Sequence, residues 1–259
     1  MTLITNKINN NQKKDKLKYA EKLLRREVGR AINAYDLISP GDKICIGISG
    51  GEDSLILLHL LSSRMLTEAL KYSVIAVYVK TDLSPDTEED INKLKKIAQG
   101  YGVKFYKRKA SVVKSNKKKK IDCFWCSWNK RKQLFSIAKE KGCNKIALGH
   151  HKDDIVQTTL MNLFFNGIIA TINPKQEMFK GTMHIIRPLV FLEKQDLSLF
   201  SKMMKFQLDF PECALADKSK RLFTENIIGT LVKENPVIKA NIFRAPTRVK
   251  EDYLGKVSE

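Results

Sequence analysis

Residues 49–54 combine the side chains and the backbone freedom needed to bind an anion, in the order Ser49-Gly50-Gly51-Glu52-Asp53-Ser54. Glycines let the backbone approach an anion, and the N–H groups at the start of the following helix point towards it. Ser49 and Ser54 add hydroxyl donors, and Asp53 adds a carboxylate that can hold Mg²⁺ against phosphate oxygens. The G-x-x-x-x-G-K-[ST] spacing of P-loop kinases and GTPases is absent. The loop therefore predicts a phosphate site of another type, with a tight turn that binds nothing as the alternative.

A second polar segment, residues 149–158, has the sequence Gly-His-His-Lys-Asp-Asp-Ile-Val-Gln-Thr. It follows a short apolar run and opens a predicted helix, so Asp153 and Asp154 lie where the helix dipole favours negative charge. The two aspartates are either simple helix caps or part of a site. Because Gly149 and His150 directly follow a strand, we favour the site.

The chain has five cysteines: Cys45, Cys123, Cys126, Cys143 and Cys213. An odd number without a secretion signal argues against a disulfide framework. Cys123-Phe-Trp-Cys126 begins a predicted helix, where thiol pKa values fall and soft metals bind. Together with Cys213 these two leave a fourth position open, as a catalytic iron or zinc centre requires. The alternatives are a zinc knuckle completed by a histidine and a redox C-x-x-C pair.

Strand-like and helix-like stretches alternate through the first two-thirds of the chain and must position these residues. The predicted strands are 43–48, 73–79, 103–106 and 145–148, and the predicted helices are 55–66, 87–100, 127–141 and 154–165. This alternation predicts an α/β doubly wound parallel sheet with crossover helices on both faces. Such sheets bind ligands at the carboxyl ends of their strands, where both polar segments lie. A basic helix is predicted before the sheet at 18–34, and an edge strand at 187–190 and a helix at 193–206 after it.

The charge of this 259-residue chain is strongly positive, with a formal net charge of +19 and a pI near 9.7. Such a chain attracts a polyanion, of which RNA and DNA are the commonest. The basic residues concentrate at 13–30 and 104–120, and 117–120 are consecutive lysines. The alternative is a lysine-rich proteome. No apolar run approaches the roughly 20 residues that span a bilayer, and no secretion signal is present. We expect a cytoplasmic protein with no membrane partner.

The two polar segments together resemble those of a known superfamily. The S-G-G-x-D-S loop resembles the PP-loop of the ATP pyrophosphatases, and residues 149–158 resemble the G-H-x-x-D-D-x-x-[EQ]-T segment of their tRNA-modifying branch. With the C-x-x-C pair, Arg187-Pro-Leu and the later Pro-x-Cys segment, the chain is similar to the tRNA 2-thiocytidine synthetase (TtcA) family. The resemblance covers residues 18–249.

This resemblance implies a fold of the adenine nucleotide alpha hydrolase type and ATP-dependent thiolation of tRNA. The enzyme would adenylate C2 of a pyrimidine, expected to be cytidine, and then displace AMP with sulfur. It further implies a basic helical segment at 1–40, a PP-loop ATP-binding domain at 41–190 and a C-terminal helical region at 191–259 that carries the third cluster cysteine. The implied partners are tRNA, a sulfur donor such as a cysteine desulfurase, and a second copy of the chain in a homodimer.

The resemblance assigns roles to particular residues. ATP is held by Ser49, Gly50, Gly51, Asp53, Ser54, Val79, Gly149 and His150, with Asp53 also binding Mg²⁺. A [4Fe-4S] cluster is held by Cys123, Cys126 and Cys213. The catalytic residues are Asp53, Asp154 and Cys126. Cys45 and Cys143 are interpreted as packing residues, and the aromatics Phe124, Trp125 and Trp128 either stack on a flipped base or shield the cluster.

Two departures from the family pattern keep other functions open. The family usually has lysine where this chain has Glu52, and a carboxylate beside a polyphosphate is unfavourable unless it faces metal or solvent. The family's second C-x-x-C is here Cys213-Ala-Leu-Ala216, which retains one cysteine. The alternatives are a tRNA lysidine synthetase, which does not need three cysteines, and a non-catalytic RNA-binding or iron-sensing relative.

Overall fold

The computed structural model describes residues 10–67, 70–113, 123–206, 208, 210 and 218–253. The chain divides into two compact units. The larger unit comprises Thr2–His151 and Asn173–Asp217, and the smaller unit comprises Lys152–Ile172 and Lys218–Glu259. Within the described ranges, no helix is both long enough and apolar enough to cross a membrane.

The larger unit contains all the strands and five of the helices found in the described part of the chain. They are α1 (Asn10–Ala34), β1 (Lys43–Ile48), α2 (Glu52–Thr67), β2 (Ser73–Thr81), α3 (Glu88–Gly100), β3 (Lys104–Ala110), α4 (Cys123–Glu140) and β4 (Lys145–Ala147). The chain then passes through α5 (Lys152–Asn166) of the smaller unit. It continues with β5 (Lys175–Met178), β6 (Met183–Ile186) and α6 (Lys194–Met204).

The strands form one sheet in the order β3-β2-β1-β4-β6-β5. β1 pairs in parallel with β2 on one side and with β4 on the other, whereas β5 runs antiparallel to β6 at the edge. The strand order therefore reverses at β1, and the segments that leave β1 and β4 emerge side by side at one edge of the sheet. This architecture confirms the predicted doubly wound α/β fold.

Apolar residues cover the two faces of the sheet because successive side chains of a strand point to opposite sides. On one face Cys45 and Cys143 belong to a buried cluster with Leu134 and Ile137 of α4. On the other face Ile44 and its alternate neighbours pack towards α2, whose apolar residues 55–58, 60 and 61 are buried. Burial raises the pKa of both cysteines. They are packing residues, as the sequence predicts.

The predicted edge strand at 187–190 is wrong. These residues form turns, and the strand lies just before them as β6, paired with the unpredicted strand β5. Pro188 cannot donate to a strand ladder, and the N–H of Arg187 already donates to the carbonyl of Pro174. Ile186 and Leu189 are equally buried, so hydrophobicity does not separate the strand from the turn. The sequence of β5, Lys-Gln-Glu-Met, has no apolar alternation that would reveal it.

The smaller unit consists of α5, α7 (Lys218–Glu234) and α8 (Ile238–Arg244), followed by short 3₁₀ turns at Ala245–Thr247 and Glu251–Tyr253. Val156 and Leu160 of α5 and Ile228 of α7 form its apolar cluster, against which Ile242 and Phe243 of α8 pack. An ion pair between Lys239 Nζ and Asp153 Oδ1, 2.6 Å apart, joins α8 to the first turn of α5.

A buried ion pair ties the amino ends of β1 and β4 together. Lys145 Nζ lies 2.6 Å from Asp42 Oδ2 and donates to the carbonyl of Leu37 at 2.8 Å. The side chains of Lys145 and Asp42 are only 6% and 7% exposed. Burial raises the pKa of Asp42, but hydrogen bonds from Lys145, the Ser39 N–H and Asn144 outweigh it and hold the pKa below its ordinary value.

Replacing Lys145 by methionine should lower the free energy of unfolding by about 3–5 kcal/mol, because it leaves a buried carboxylate without its cation. Urea denaturation of the full chain measures this. Lys104→Met, which removes an exposed lysine at the start of β3, is the matched control and should change stability by less than about 0.5 kcal/mol. Equal effects of the two substitutions would contradict a structural role for the buried pair.

Candidate functional site

The loop 49–54 is shaped by a hydroxyl network around Ser54. The N–H of Ser49 donates to Ser54 Oγ at 3.1 Å, and the Ser54 hydroxyl donates to the carbonyl of Gly51 at 2.8 Å. Ser49 Oγ accepts from the N–H of Gly51 at 3.3 Å. Helix α2 begins at Glu52, three residues earlier than predicted, so the second half of the loop already forms the first helical turn. The arrangement places the first N–H groups of α2 together with two serine hydroxyls, as an anion site requires.

Gly149 joins the second polar segment to this loop. A Cβ atom at position 149 would lie 3.1 Å from the carbonyl carbon of Asp53 and 3.2 Å from the backbone nitrogen of Ser54. These distances are shorter than most real Cβ contacts, so glycine favours such a close approach of the two backbones. The segments leaving β1 and β4 therefore form one site at the carboxyl edge of the sheet.

His150 is oriented by a buried arginine. Arg187 Nε donates to His150 Nδ1 at 3.2 Å, so the neutral imidazole carries its proton on Nε2 and presents a donor. The same guanidinium donates to the carbonyl of Asn173 and, at 3.3 Å, to Gln176 Oε1. Burial lowers the pKa of Arg187 to about 10, with a smaller contribution from Arg131. Arg187 thus holds the β5–β6 hairpin and the histidine in one network.

His151 points back towards the loop. Its side chain is buried, and Nε2 lies 3.8 Å from Asp53 Oδ2. No role for His151 is predicted from the sequence, since two adjacent histidines give no indication of which one faces a site.

The two loop carboxylates face the start of α6. Lys194 Nζ lies 3.1 Å from both carboxylate oxygens of Asp53 and 3.8 Å from Glu52 Oε2. The hydroxyl of Ser198 donates to Glu52 Oε2 at 2.9 Å. From the sequence, Glu52 is acceptable beside a polyphosphate only if it faces metal or solvent. The structure instead gives it a serine hydroxyl and a lysine ammonium as partners. Lys194 and Ser198 lie more than 140 positions away in the chain, and no sequence motif marks them.

An aromatic ring covers the glycine turn of the loop. Gly50 has a φ of +88°, and a Cβ there would lie 2.6–2.7 Å from the ring atoms of Phe210. The Phe210 ring also packs edge-on against Tyr78 of β2, with centroids 6.1 Å apart. Val79, the next residue of β2, is buried in the apolar cluster under α4.

The cysteine positions are only partly described. Cys123 is the first residue of α4, and the Cys126 side chain in the same turn is 7% exposed. Cys213 lies outside the described residues. In the part of the chain that the structure does describe, no three metal-ligating side chains converge on one point.

The aromatic residues around Cys126 pack on one another. The rings of Trp125 and Trp128 stack with centroids 5.2 Å apart and an interplanar angle of 7°. Trp125 Nε1 donates to the carbonyl of Val112 at 3.4 Å, whereas Phe124 is 72% exposed. Trp125 is therefore a fixed part of the α4 surface, and Phe124 is the aromatic residue most open to a ligand among these three.

Asp154 lies in the first turn of α5, in the smaller unit. Its neighbour Asp153 is engaged by Lys239 within that unit, so it acts there as a structural carboxylate. The segment 149–158 is thus divided between the units, with its glycine and histidines in the larger one.

The basic runs differ in how far their charges are paired. On α1, Arg25 pairs with Glu21, and Arg26 and Arg30 pair with Glu27 while remaining 69% and 59% exposed. On β3, Lys107 and Arg108 contact Glu88 and Glu140. The consecutive lysines 117–120 lie outside the described residues.

Comparison with known proteins identifies relatives along most of the chain. A family model described as a PP-loop domain matches residues 20–221. The tRNA-cytidine(32) 2-sulfurtransferase of Geotalea daltonii is 35% identical over 240 residues, which are 90% of this chain and 94% of that protein. The enzyme of the same name from Coxiella burnetii is 33% identical over 244 residues, covering 92% and 93%.

Solved structures show the same fold. The U34-tRNA thiolase NcsA from Methanococcus maripaludis with its [4Fe-4S] cluster gives a TM-score of 0.73 at 22% identity, covering 90% of this chain and 79% of that one. The NMN synthetase of Francisella tularensis gives 0.50 at 13% identity, covering 90% and 97%. At these identities the likeness concerns the fold.

Gly50→Ala should lower the free energy of unfolding by about 2–4 kcal/mol, because it combines left-handed backbone strain with a clash against Phe210. Gly51→Ala is the matched control, since a Cβ there meets only Ser49 Oγ at 3.4 Å. It should cost less than about 1 kcal/mol. Adding Phe210→Ala to Gly50→Ala should relieve the clash, and so restore that part of the lost stability, but it should not relieve the backbone strain. Urea denaturation measures all three, and indistinguishable effects of the two glycine substitutions would refute the close contact.

Proposed function

The chain belongs to the PP-loop domain family, among the relatives of the tRNA 2-thiocytidine synthetases, and we propose that it is an ATP-dependent enzyme that replaces the C2 oxygen of a tRNA cytidine with sulfur. The observation that carries the proposal is the contact of Gly149 with the backbone of Asp53 and Ser54, which brings the start of the second motif against the loop 49–54. The names of the relatives favour cytidine 32 as the target.

The loop 49–54 is the triphosphate site in this proposal. The N–H groups at the start of α2 and the hydroxyl of Ser49 offer donors to phosphate oxygens, and Ser54, whose hydroxyl donates to the carbonyl of Gly51, fixes the shape of the loop around them. Asp53, whose side chain is 28% exposed, offers the carboxylate oxygens that Mg²⁺ prefers. His150, with its proton on Nε2, is a further donor at the same edge of the sheet.

The proposed reaction has two displacements. The C2 oxygen of cytidine attacks the α-phosphorus of ATP, and the bond to the bridging oxygen breaks so that pyrophosphate leaves. Sulfur at the oxidation level of hydrosulfide then adds to C2, and the C2–O bond breaks with its electron pair on AMP. The net change from C=O to C=S involves no oxidation or reduction. The loop supplies donors where negative charge develops on the leaving pyrophosphate.

The described cysteine residues fit an iron–sulfur cluster. Positions 123 and 126 are three apart in the first turn of α4, and residues at that spacing share one helical face. Thiolates are the ligands such clusters require. Cys123, Cys126 and Cys213 would hold a [4Fe-4S] cluster, which supplies an open iron for binding sulfur. Cys126 is itself buried, and the rings of Trp125 and Trp128 stack beside it in the same turn of α4.

The positive charge of the chain supports binding of tRNA. The exposed arginines of α1 and the lysine-rich run at 104–120 offer contacts to backbone phosphates. The sulfur-donating partner, the homodimer and the role of Asp154 complete the proposal, and each rests on the family resemblance.

Purified protein with its cluster assembled under anaerobic conditions should convert ATP to AMP and pyrophosphate when tRNA and sulfide are present. AMP and thiolated cytidine should form in equal amounts, measured by chromatography of the nucleotides. Asp53→Asn should slow AMP formation by about 100-fold or more, since it removes the carboxylate that is proposed to hold Mg²⁺ against the phosphates. Glu89→Gln, which removes an exposed carboxylate of α3, should leave the rate unchanged. Formation of ADP in place of AMP would rule out the adenylation step.

Mass spectrometry of tRNA nucleosides tests the product. A strain lacking the protein should lose 2-thiocytidine, and the wild-type gene should restore it. Cys126→Ala should fail to restore it, because the variant lacks a cluster ligand, whereas Cys143→Ala removes only a packing thiol and should restore it. Unaltered thiolation in the deletion strain would refute the proposed function. Restoration by Cys126→Ala, or the appearance of lysidine, would favour a lysine-adding enzyme.

A further inference from the structure

The proposed triphosphate site has an unusual distribution of charge. Residues 49–54 contain two carboxylates and no cationic side chain. Glu52 and Asp53 suit the amino end of α2, because the helix dipole favours negative charge there. The same two charges repel the polyphosphate that the loop is proposed to bind. Beside the Mg²⁺ that Asp53 is proposed to bind, a cationic side chain from another part of the chain would offset this repulsion.

Lys194 reaches the loop from α6. Its ammonium lies 3.1 Å from both oxygens of Asp53 and 3.8 Å from Glu52 Oε2. Its side chain is 47% exposed, so the ammonium remains accessible to a ligand. The carboxylates of Asp53 and Glu52 hold the ammonium beside the first turn of α2, where the N–H groups of the loop lie.

Glu52 is in turn held by the same helix. Ser198 lies one turn after Lys194 on the same face of α6, and its hydroxyl donates to Glu52 Oε2 at 2.9 Å. Helix α6 thus presents a cation and a hydroxyl donor to the two loop carboxylates. The contact holds Glu52 Oε2 beside Lys194, 3.8 Å from its ammonium.

The position of Lys194 is unfavourable for the helix itself. It is the first residue of α6, where the helix dipole disfavours positive charge. Glu193, which precedes it, makes no side-chain capping hydrogen bond. A half-exposed ion pair also adds little to stability. Neither helix formation nor folding accounts for a lysine here, whereas its contact with the loop does.

We propose that Lys194 supplies the positive charge that the phosphate loop lacks, and that Glu52 and Ser198 are positioning residues for it. This inference rests on the proposed function, in which the loop binds ATP. It follows that the charges at positions 52 and 194 act as a pair whose orientation can be reversed: a lysine at 52 and a glutamate at 194 would deliver a cation to the same place.

Binding of α,β-methylene-ATP with Mg²⁺ to the full chain, measured by calorimetry, tests this pair. Lys194→Glu and the uncharged Lys194→Met should each weaken binding by about tenfold or more. The double variant Glu52→Lys/Lys194→Glu should bind within about threefold of the wild type. With Glu52→Lys measured alone, the four proteins form a cycle that gives the coupling between the two positions, which should be non-zero. Lys202→Glu makes the same charge change two turns further along α6, on an exposed residue, and should not alter binding.

The outcomes separate this inference from the proposed function. Thermal unfolding of each variant shows whether it is folded, and Lys194→Met remains informative if Lys194→Glu is not. If both Lys194 variants bind the nucleotide with the affinity of the wild type, the proposed role of Lys194 is overturned, whereas the ATP site is not. A double variant no better than Lys194→Glu would overturn the reversible pair. A wild-type chain that does not bind the nucleotide at all would overturn the proposed function itself.

Discussion

The parallel pairing of β1 with β4 is the constraint on which the candidate site depends. The ladder sets Ile46 opposite Ala147, so the segments that follow the two strands leave the sheet at the same edge. Gly149 can then rest against the backbone of Asp53 and Ser54, an approach so close that a Cβ there would push the two backbones apart. The site is thus a consequence of strand order combined with a glycine at one position. The hydroxyl network of the loop refines its shape but does not bring the segments together.

Two ion pairs lie at opposite ends of the same strands and have different consequences. At the amino ends, Lys145 and Asp42 are almost fully buried and satisfied by further hydrogen bonds, so their charges are committed to the fold. At the carboxyl ends, Lys194 meets Asp53 with both side chains partly exposed. Solvent screens that pair, and its charges remain available to a ligand. Burial, more than charge type, separates the structural pair from the pair suited to chemistry.

Helix α4 has two roles, one for its second half and one for its first turn. Leu134 and Ile137 in its second half cover one face of the sheet together with the packing residues Cys45 and Cys143. Its first turn carries Cys126 beside the stacked tryptophans. The rigid apolar cover therefore also fixes the start of the helix, which is what a metal-ligating cysteine needs if its geometry is to be maintained.

The sequence by itself determined the fold class and the two motifs, because the alternation of strands and helices and the glycine loop are local patterns. It also separated the packing cysteines from the C-x-x-C pair. It did not determine the β5–β6 hairpin, whose polar edge strand lacks an apolar period, or the partners of Glu52. Lys194, Ser198 and Phe210 reach the loop across more than 140 positions. Contacts between segments so far apart arise from packing such as that of α6 against α2, so only the tertiary structure decided which side chains meet the loop.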